Sequence, residues 1–298
     1  MTTGVVDAAA SARPLAVVGD YVRLTKPRII SLLLVTTAGA MFVAAEGVPD
    51  GWLLLWTMVG GYLAAGGANA INHYVDRDID TRMARTTARP VAAGRVSPPR
   101  ALAFGIVLGL LSALVLGVAA NWLTAALGLL GLGLYVGVYT LWLKRTTIHN
   151  IVIGGSAGAV PPLVGWAAVT GDVGLSAWLL FAIVFYWTPP HFWALALILK
   201  RDYAAAGVPM LPVVRGEDET KRQITVWTVV MVAVTLLPVA SGAAGLLYFW
   251  SALALGAIFV VLAVLLQRGE GLAWARATFH YSLLYLALIF VALVLDAA

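Results

Sequence analysis

Three oxygen-bearing residues, Asn72, Asp76 and Asp80, recur at intervals of four in the segment NHYVDRDID. On a helix, four residues advance 400°, so the three groups drift by about 80° while rising about 12 Å. They form one polar stripe of two carboxylates and an amide, oxygen donors suited to magnesium. Magnesium takes few protein ligands and shares phosphate oxygens with its substrate, so the stripe suits a diphosphate. Arg82, Arg85 and Arg89 follow, each with a fork of donors for the remaining phosphate charge. Asp78 lies off the stripe and is expected to pair with Arg77 or Arg82. A snorkelling helix end is the plainer account of these residues. Carboxylates this dense beside lipid are nevertheless costly and usually functional.

A second polar stretch runs over 186–223. In it Asp202 offers another metal-facing oxygen, Lys200 and Lys221 offer ammonium groups to phosphate, and Tyr203 offers a hydroxyl. The acidic run Glu217, Asp218 and Glu219 reads as a solvated loop face. Four histidines remain. His73 follows Asn72, and His191 sits among Tyr186, Trp187, Phe192 and Trp193. Each either ligates a haem iron or cofactor, or packs a helix with its nitrogens hydrogen-bonded. His149 and His280 read as interfacial. Aromatic residues beside proline make good walls for an apolar pocket, such as a prenyl chain would need.

The elements that must position these residues are long and apolar. The 298 residues are 61% hydrophobic and 11% charged, against about 25% charged in an ordinary soluble domain. Roughly 20 apolar residues cross a bilayer as a helix. Nine stretches qualify: 28–45, 52–72, 101–119, 123–142, 149–169, 175–198, 223–243, 246–266 and 279–296. The proline pairs at 161–162 and 189–190 are expected to kink or interrupt the fifth and sixth. The predicted fold class is therefore all-α and polytopic. Residues 1–20 read as a flexible tail without a signal-peptide pattern, and 21–298 as a single transmembrane domain.

Charge supports the span assignment. The N-terminal flank and alternate loops hold all 19 Lys and Arg residues, while the other loops hold only Glu46, Asp50 and Asp172 among charged residues. The positive-inside rule then puts the N-terminus in the cytoplasm. The net charge of +5 reflects this topology and does not indicate nucleic-acid binding. With no cysteine in the chain, disulfides and thiolate metal sites are excluded.

Several segments resemble the aspartate-rich, UbiA-type intramembrane prenyltransferases, most closely the branch that acts on haem. They are LTKPRIISLLLVTT at 24–37, NHYVDRDID at 72–80, RTTARPVAAG at 85–94, YTLWLKRTTIHNIVIGGSAGAVPPLVGW at 139–166, WTPPHFWALAL at 187–197, DYAAAGVPMLPVV at 202–214 and TKRQI at 220–224. The resemblance implies nine helices around a central cavity that opens near the cytoplasmic face, in the bacterial plasma membrane. It implies farnesyl diphosphate and haem B as substrates, magnesium as cofactor, and membrane lipids as surroundings. A haem-modifying enzyme or terminal oxidase assembly would follow downstream. Asn72, Asp76 and Asp80 match the family's first motif. Only the last acidic position of the second motif is matched, by Asp202, and Ile198 stands at the earlier one. Lys200 then supplies ammonium charge in place of metal charge. Arg82, Arg85, Arg89, Lys144, Lys221 and Tyr203 would hold the diphosphate, and His73 or His191 the haem.

Three other readings use the same residues. A prenyltransferase with a phenolic acceptor shares the donor chemistry. An ion transporter suits interrupted helices, but it predicts charge near the bilayer midplane rather than at one face. A non-catalytic assembly factor has no need of an intact acidic stripe. Topology is directly testable because any introduced cysteine is unique. A membrane-impermeant maleimide should label Ala93→Cys only from the cytoplasmic side and Glu46→Cys only from the outside; the opposite pattern would invert the assignment.

Overall fold

The computed structural model describes residues 14–297. Every regular element among them is helical. A short helix, α1 (Pro14–Thr25), precedes nine long ones. These are α2 (Pro27–Ala44), α3 (Gly51–Val75), α4 (Pro98–Ala119), α5 (Trp122–Thr146), α6 (Asn150–Thr170), α7 (Leu175–Ile198), α8 (Glu217–Ala240), α9 (Leu246–Arg268) and α10 (Ala273–Ala297). Residues 14–20, expected in the N-terminal tail, are helical, and the rest of that tail lies outside the described residues.

Eight of the nine are long and apolar enough to cross a membrane. The exception, α3, coincides with the predicted span 52–72. Its 25 residues reach about 37 Å at 1.5 Å per residue. Five glycines, two asparagines and a histidine lower its apolar content. The protein is thus a multi-pass helical membrane protein. Its outer face carries exposed Leu110, Leu114, Val118, Trp122, Leu246 and Trp250, an arrangement that lipid solvates and water does not.

Local signals start and stop the helices. Asp50 accepts from Leu53 N at 2.8 Å at the start of α3, and Asn121 accepts from Thr124 N at 2.9 Å at the start of α5. Pro27 and Pro98 occupy first-turn positions where a missing N–H costs nothing. Gly171 closes α6 at φ 77°. The proline pairs do not interrupt α6 or α7, which run through them. In α7, Pro189 and Pro190 deny bonds to the carbonyls of Phe185 and Tyr186, a loss tolerated where neighbouring helices enclose the backbone.

Sequential helices pack on one another from α2 to α10, and α10 returns to α2, closing a ring. Contacts of α2 with α6 and of α7 with α10 cross its middle. Tyr248, Phe259, Tyr285 and Phe290 are fully buried on the α9–α10 side. Both tyrosine hydroxyls reach Thr235, at 2.7 Å to its carbonyl and 3.0 Å to its hydroxyl.

The pairing of α3 with α4 is the most extensive contact and carries the stripe. Backbones meet there: a β-carbon on Gly67 would stand 2.7 Å from Gly105 O, and one on Gly105 would stand 2.8 Å from Gly67 O. Small residues permit such close approach between membrane helices. Gly67→Ala and Gly105→Ala should each lower stability by about 1–3 kcal/mol, because backbone cannot yield as a side chain does. Gly158→Ala, with open space at its β-carbon, should cost nothing. Thermal unfolding in detergent measures all three.

Candidate active site

Helix α3 ends at Val75, and a short helix, Arg77–Asp80, continues it. Asp76 bridges the two. Its N–H reaches Asn72 O at 2.9 Å, and its carbonyl accepts from Asp80 N at 2.8 Å. The four-residue spacing therefore carries across the joint. Asn72, Asp76 and Asp80 are all buried, at 2%, 0% and 1% exposure.

Buried carboxylates need counter-charge, and cations converge on the stripe from three elements. From the end of α5, Lys144 Nζ donates to Asp76 Oδ2. From the loop after α3, Arg89 Nη1 donates to both oxygens of Asp80, at 2.7 and 2.8 Å. From the α1–α2 turn, Lys26 Nζ donates to Asn72 Oδ1 at 2.8 Å. The Asn72 amide is then oriented on chemical grounds. Its oxygen faces the donor-only ammonium, and its Nδ2 donates to Asp76 Oδ2 at 2.7 Å and to Thr140 Oγ1 at 3.3 Å. Asn72, expected as a metal ligand, is thus hydrogen-bonded to both Lys26 and Asp76. Burial first, then the charges of Arg89 and Lys144, hold the Lys26 ammonium well below the ordinary lysine range.

One oxygen is left over. Asp76 Oδ1 is buried and accepts no hydrogen bond from the described residues. Arg145 Nη2 stands 3.6 Å from it, beyond hydrogen-bond reach. Arg145 instead takes Asp78 with both arms at 2.7 Å, so Asp78 pairs with neither Arg77 nor Arg82. The Arg145 hydrogen bonds hold the Asp78 carboxyl down at about 2.

The position of Lys144 and Thr140 depends on an irregularity in α5. Residues Leu134–Leu143 form a π-helix, with Thr140 Oγ1 donating to Tyr135 O at 2.8 Å. Such wide turns recur at functional sites because they shift the register of the following side chains.

The other predicted residues fall into separate groups. Arg85 Nη2 donates to Tyr203 Oη at 3.3 Å, and Arg85 Nε lies 3.7 Å from Asp202 Oδ2. Tyr203 is buried, and burial pushes its phenol up. Arg82 is exposed. Lys200 holds Glu217 at 2.8 Å, and Lys221 donates to Gly269 O at 2.9 Å, so neither ammonium is bonded to the stripe. The acidic run 217–219 is the first turn of α8 rather than a loop, a position that favours carboxylates electrostatically.

His191 stacks between Trp187 and Phe279 at centroid distances of 4.3 and 4.9 Å. Its Nδ1 lies 2.6 Å from Ser282 Oγ, which itself donates to Phe279 O at 2.6 Å. Ser282 has spent its proton, so His191 must donate through Nδ1, which leaves a lone pair on Nε2. His73 is buried, and neither ring nitrogen is hydrogen-bonded to any described residue.

Residues 32–293 match the UbiA prenyltransferase family. The chain belongs to that family. A protein of Chloroflexus aurantiacus named protoheme IX farnesyltransferase is 57% identical over 280 residues, 94% of this chain and 48% of that protein. The Symbiobacterium thermophilum protein of the same name is 55% identical over 282 residues, 94% of both chains. The chain spans about half the length of several curated relatives it matches. A UbiA homologue from Archaeoglobus fulgidus, solved with GPP and Mg2+, shares the fold at a TM-score of 0.65 and 15% identity, over 92% of this chain and 99% of that one.

Sequence reasoning missed Lys26, Thr140, Arg145 and Ser282. A basic residue directly before Pro27, and a Thr–Lys pair four apart at the end of an apolar span, were the signals available for the first two. The coupling of Lys144 to Asp76 is measurable by unfolding. Asp76→Asn or Lys144→Met alone should cost about 3–5 kcal/mol by stranding a buried charge, and the double variant should cost clearly less than their sum. Additive losses would mean that the two are not coupled.

Proposed function

We propose that this member of the UbiA family transfers the farnesyl group of farnesyl diphosphate to a vinyl group of haem B, with addition of water. Support comes chiefly from the 55% identity to the Symbiobacterium protoheme IX farnesyltransferase across 94% of both chains. The site agrees with it: a buried acidic stripe ringed by Lys and Arg. The chain crosses the bacterial plasma membrane nine times as a single domain over 21–298, with its N-terminus in the cytoplasm.

Magnesium fits the donor set. The unbonded Asp76 Oδ1 is a hard oxygen awaiting a cation. No cluster of three His, Asp or Glu residues among the described ones would hold a metal alone. Magnesium commonly takes one or two carboxylates and completes its shell with phosphate oxygens. Asp76 and Asp80 would hold it, with Asn72 orienting Asp76. Bound there, magnesium supplies charge neutralisation for the departing diphosphate.

The protein's own groups do the rest. Arg89 and Arg85, with Lys144, face negative charge as the farnesyl C1–O bond breaks, and charge stabilisation at the leaving group lowers that barrier. The allylic cation then forms a C–C bond to the terminal vinyl carbon. Water adds at the adjacent carbon and loses a proton, giving hydroxyethylfarnesyl haem and diphosphate. The aromatic cluster at 186–193 lines the haem side and delays capture of the cation by water. His191 is the haem-iron ligand through Nε2, its tautomer set by Ser282. Asp202 and Tyr203 hold Arg85 over the diphosphate. A haem-modifying enzyme or oxidase assembly takes the product.

Protein purified in detergent with magnesium, farnesyl diphosphate and haem B should yield a haem heavier by one farnesyl and one water, read by mass. Asp76→Ala should reduce the rate by at least about 100-fold, the scale of losing one charge-stabilising group. Active protein that prenylates a phenol and leaves haem untouched would replace the acceptor.

A further inference from the structure

Cations outnumber carboxylates in the buried site. Arg89 is committed to Asp80, and Lys144 to Asp76. Arg145 spends its arms on Asp78. Lys26 has only the neutral amide oxygen of Asn72, and among the described residues it forms no ion pair. An ammonium brought among two other cations, without a carboxylate of its own, is electrostatically incomplete.

The backbone places it there deliberately. Lys26 adopts φ 55° and ψ 61°, the left-handed region that side chains with a β-carbon rarely enter. Pro27 follows and bars an ordinary helical conformation at residue 26. The turn is pinned on both sides: Lys26 N–H reaches Arg23 O at 3.2 Å, and Ile29 N–H reaches Lys26 O at 3.0 Å. Asn69 Nδ2 ties the preceding carbonyl, Thr25 O, to α3 at 2.9 Å. Glycine would hold this turn with less strain. A lysine at the position makes sense for what its side chain does. Such unfavourable conformations persist where surrounding structure enforces them, and they concentrate at functional sites.

We infer that Lys26 is a diphosphate-binding residue, whose ammonium turns from Asn72 Oδ1 to a phosphate oxygen when the prenyl diphosphate arrives. This rests on the prenyl-diphosphate reading above. It adds a phosphate ligand on the α1–α2 turn to the arginines of the loop after α3. Lys200, whose charge Glu217 already meets, contrasts with it.

The test is calorimetric binding of inorganic pyrophosphate with magnesium to the full-length protein in detergent. Lys26→Met and Lys26→Gly should weaken binding by roughly 10- to 100-fold, the scale of one charge-assisted hydrogen bond. Lys26→Arg should stay within about threefold of the unaltered protein. Lys26→Gly separates binding from folding, since it relieves the left-handed turn and should keep or raise the melting temperature. Binding by Lys26→Gly as tight as that of the unaltered protein would overturn the inference. Failure of the unaltered protein itself to bind magnesium pyrophosphate would overturn the prenyl-diphosphate reading, and this inference with it.

Discussion

A carboxylate with no exposed surface, Asp76, sits at the end of a helix packed among membrane spans, and much of the architecture follows from it. An isolated charge in that setting is prohibitively costly, and pairing alone barely offsets the loss of water. Counter-charge has to arrive from outside α3, because α3 itself offers only His73 nearby. It arrives from the end of α5 and from the loop that joins α3 to α4, while the turn between α1 and α2 adds a third cation beside Asn72. Each source requires a local departure from regular structure. Helix α5 widens into a π segment, the loop folds back so that Arg89 meets Asp80, and Lys26 takes a left-handed backbone.

Among the described residues the resulting network is incomplete, with Asp76 Oδ1 unbonded and Lys26 without a carboxylate. A complete network would rigidify the fold and resist ligands. In the proposed reaction, the unbonded Asp76 oxygen and the Lys26 ammonium would meet a divalent metal and a polyanion. The close α3–α4 backbone contact at Gly67 and Gly105 fixes the helix that carries the acidic stripe.

The His191 region is a different environment. There a histidine stacks on Trp187 and Phe279, and its polar partner among the described residues is Ser282. Charge is concentrated around the stripe and scarce around His191. The prenyl transfer proposed above would expel an anion and pass a carbocation to a planar acceptor, and it would need both, since stabilising the first and shielding the second call for opposite dielectrics.

Much of this was legible in the chain itself. Apolar stretches of helical length and the alternation of basic and acidic loops revealed the membrane helices, because hydrocarbon thickness sets span length. The four-residue interval set Asn72, Asp76 and Asp80 on one side, because helical geometry is local. Partners were not legible. Asp78 meets Arg145, 67 residues away, rather than Arg77 or Arg82, and Lys200 meets Glu217 rather than the stripe. The roles of Lys26 and Thr140 appear only when three helices converge on one amide. Spacing along the chain determined which side chains share a helix face. Which cation neutralises which carboxylate was decided by the packing of α1, α3 and α5, since Coulomb energy depends on distances that only the assembled bundle sets.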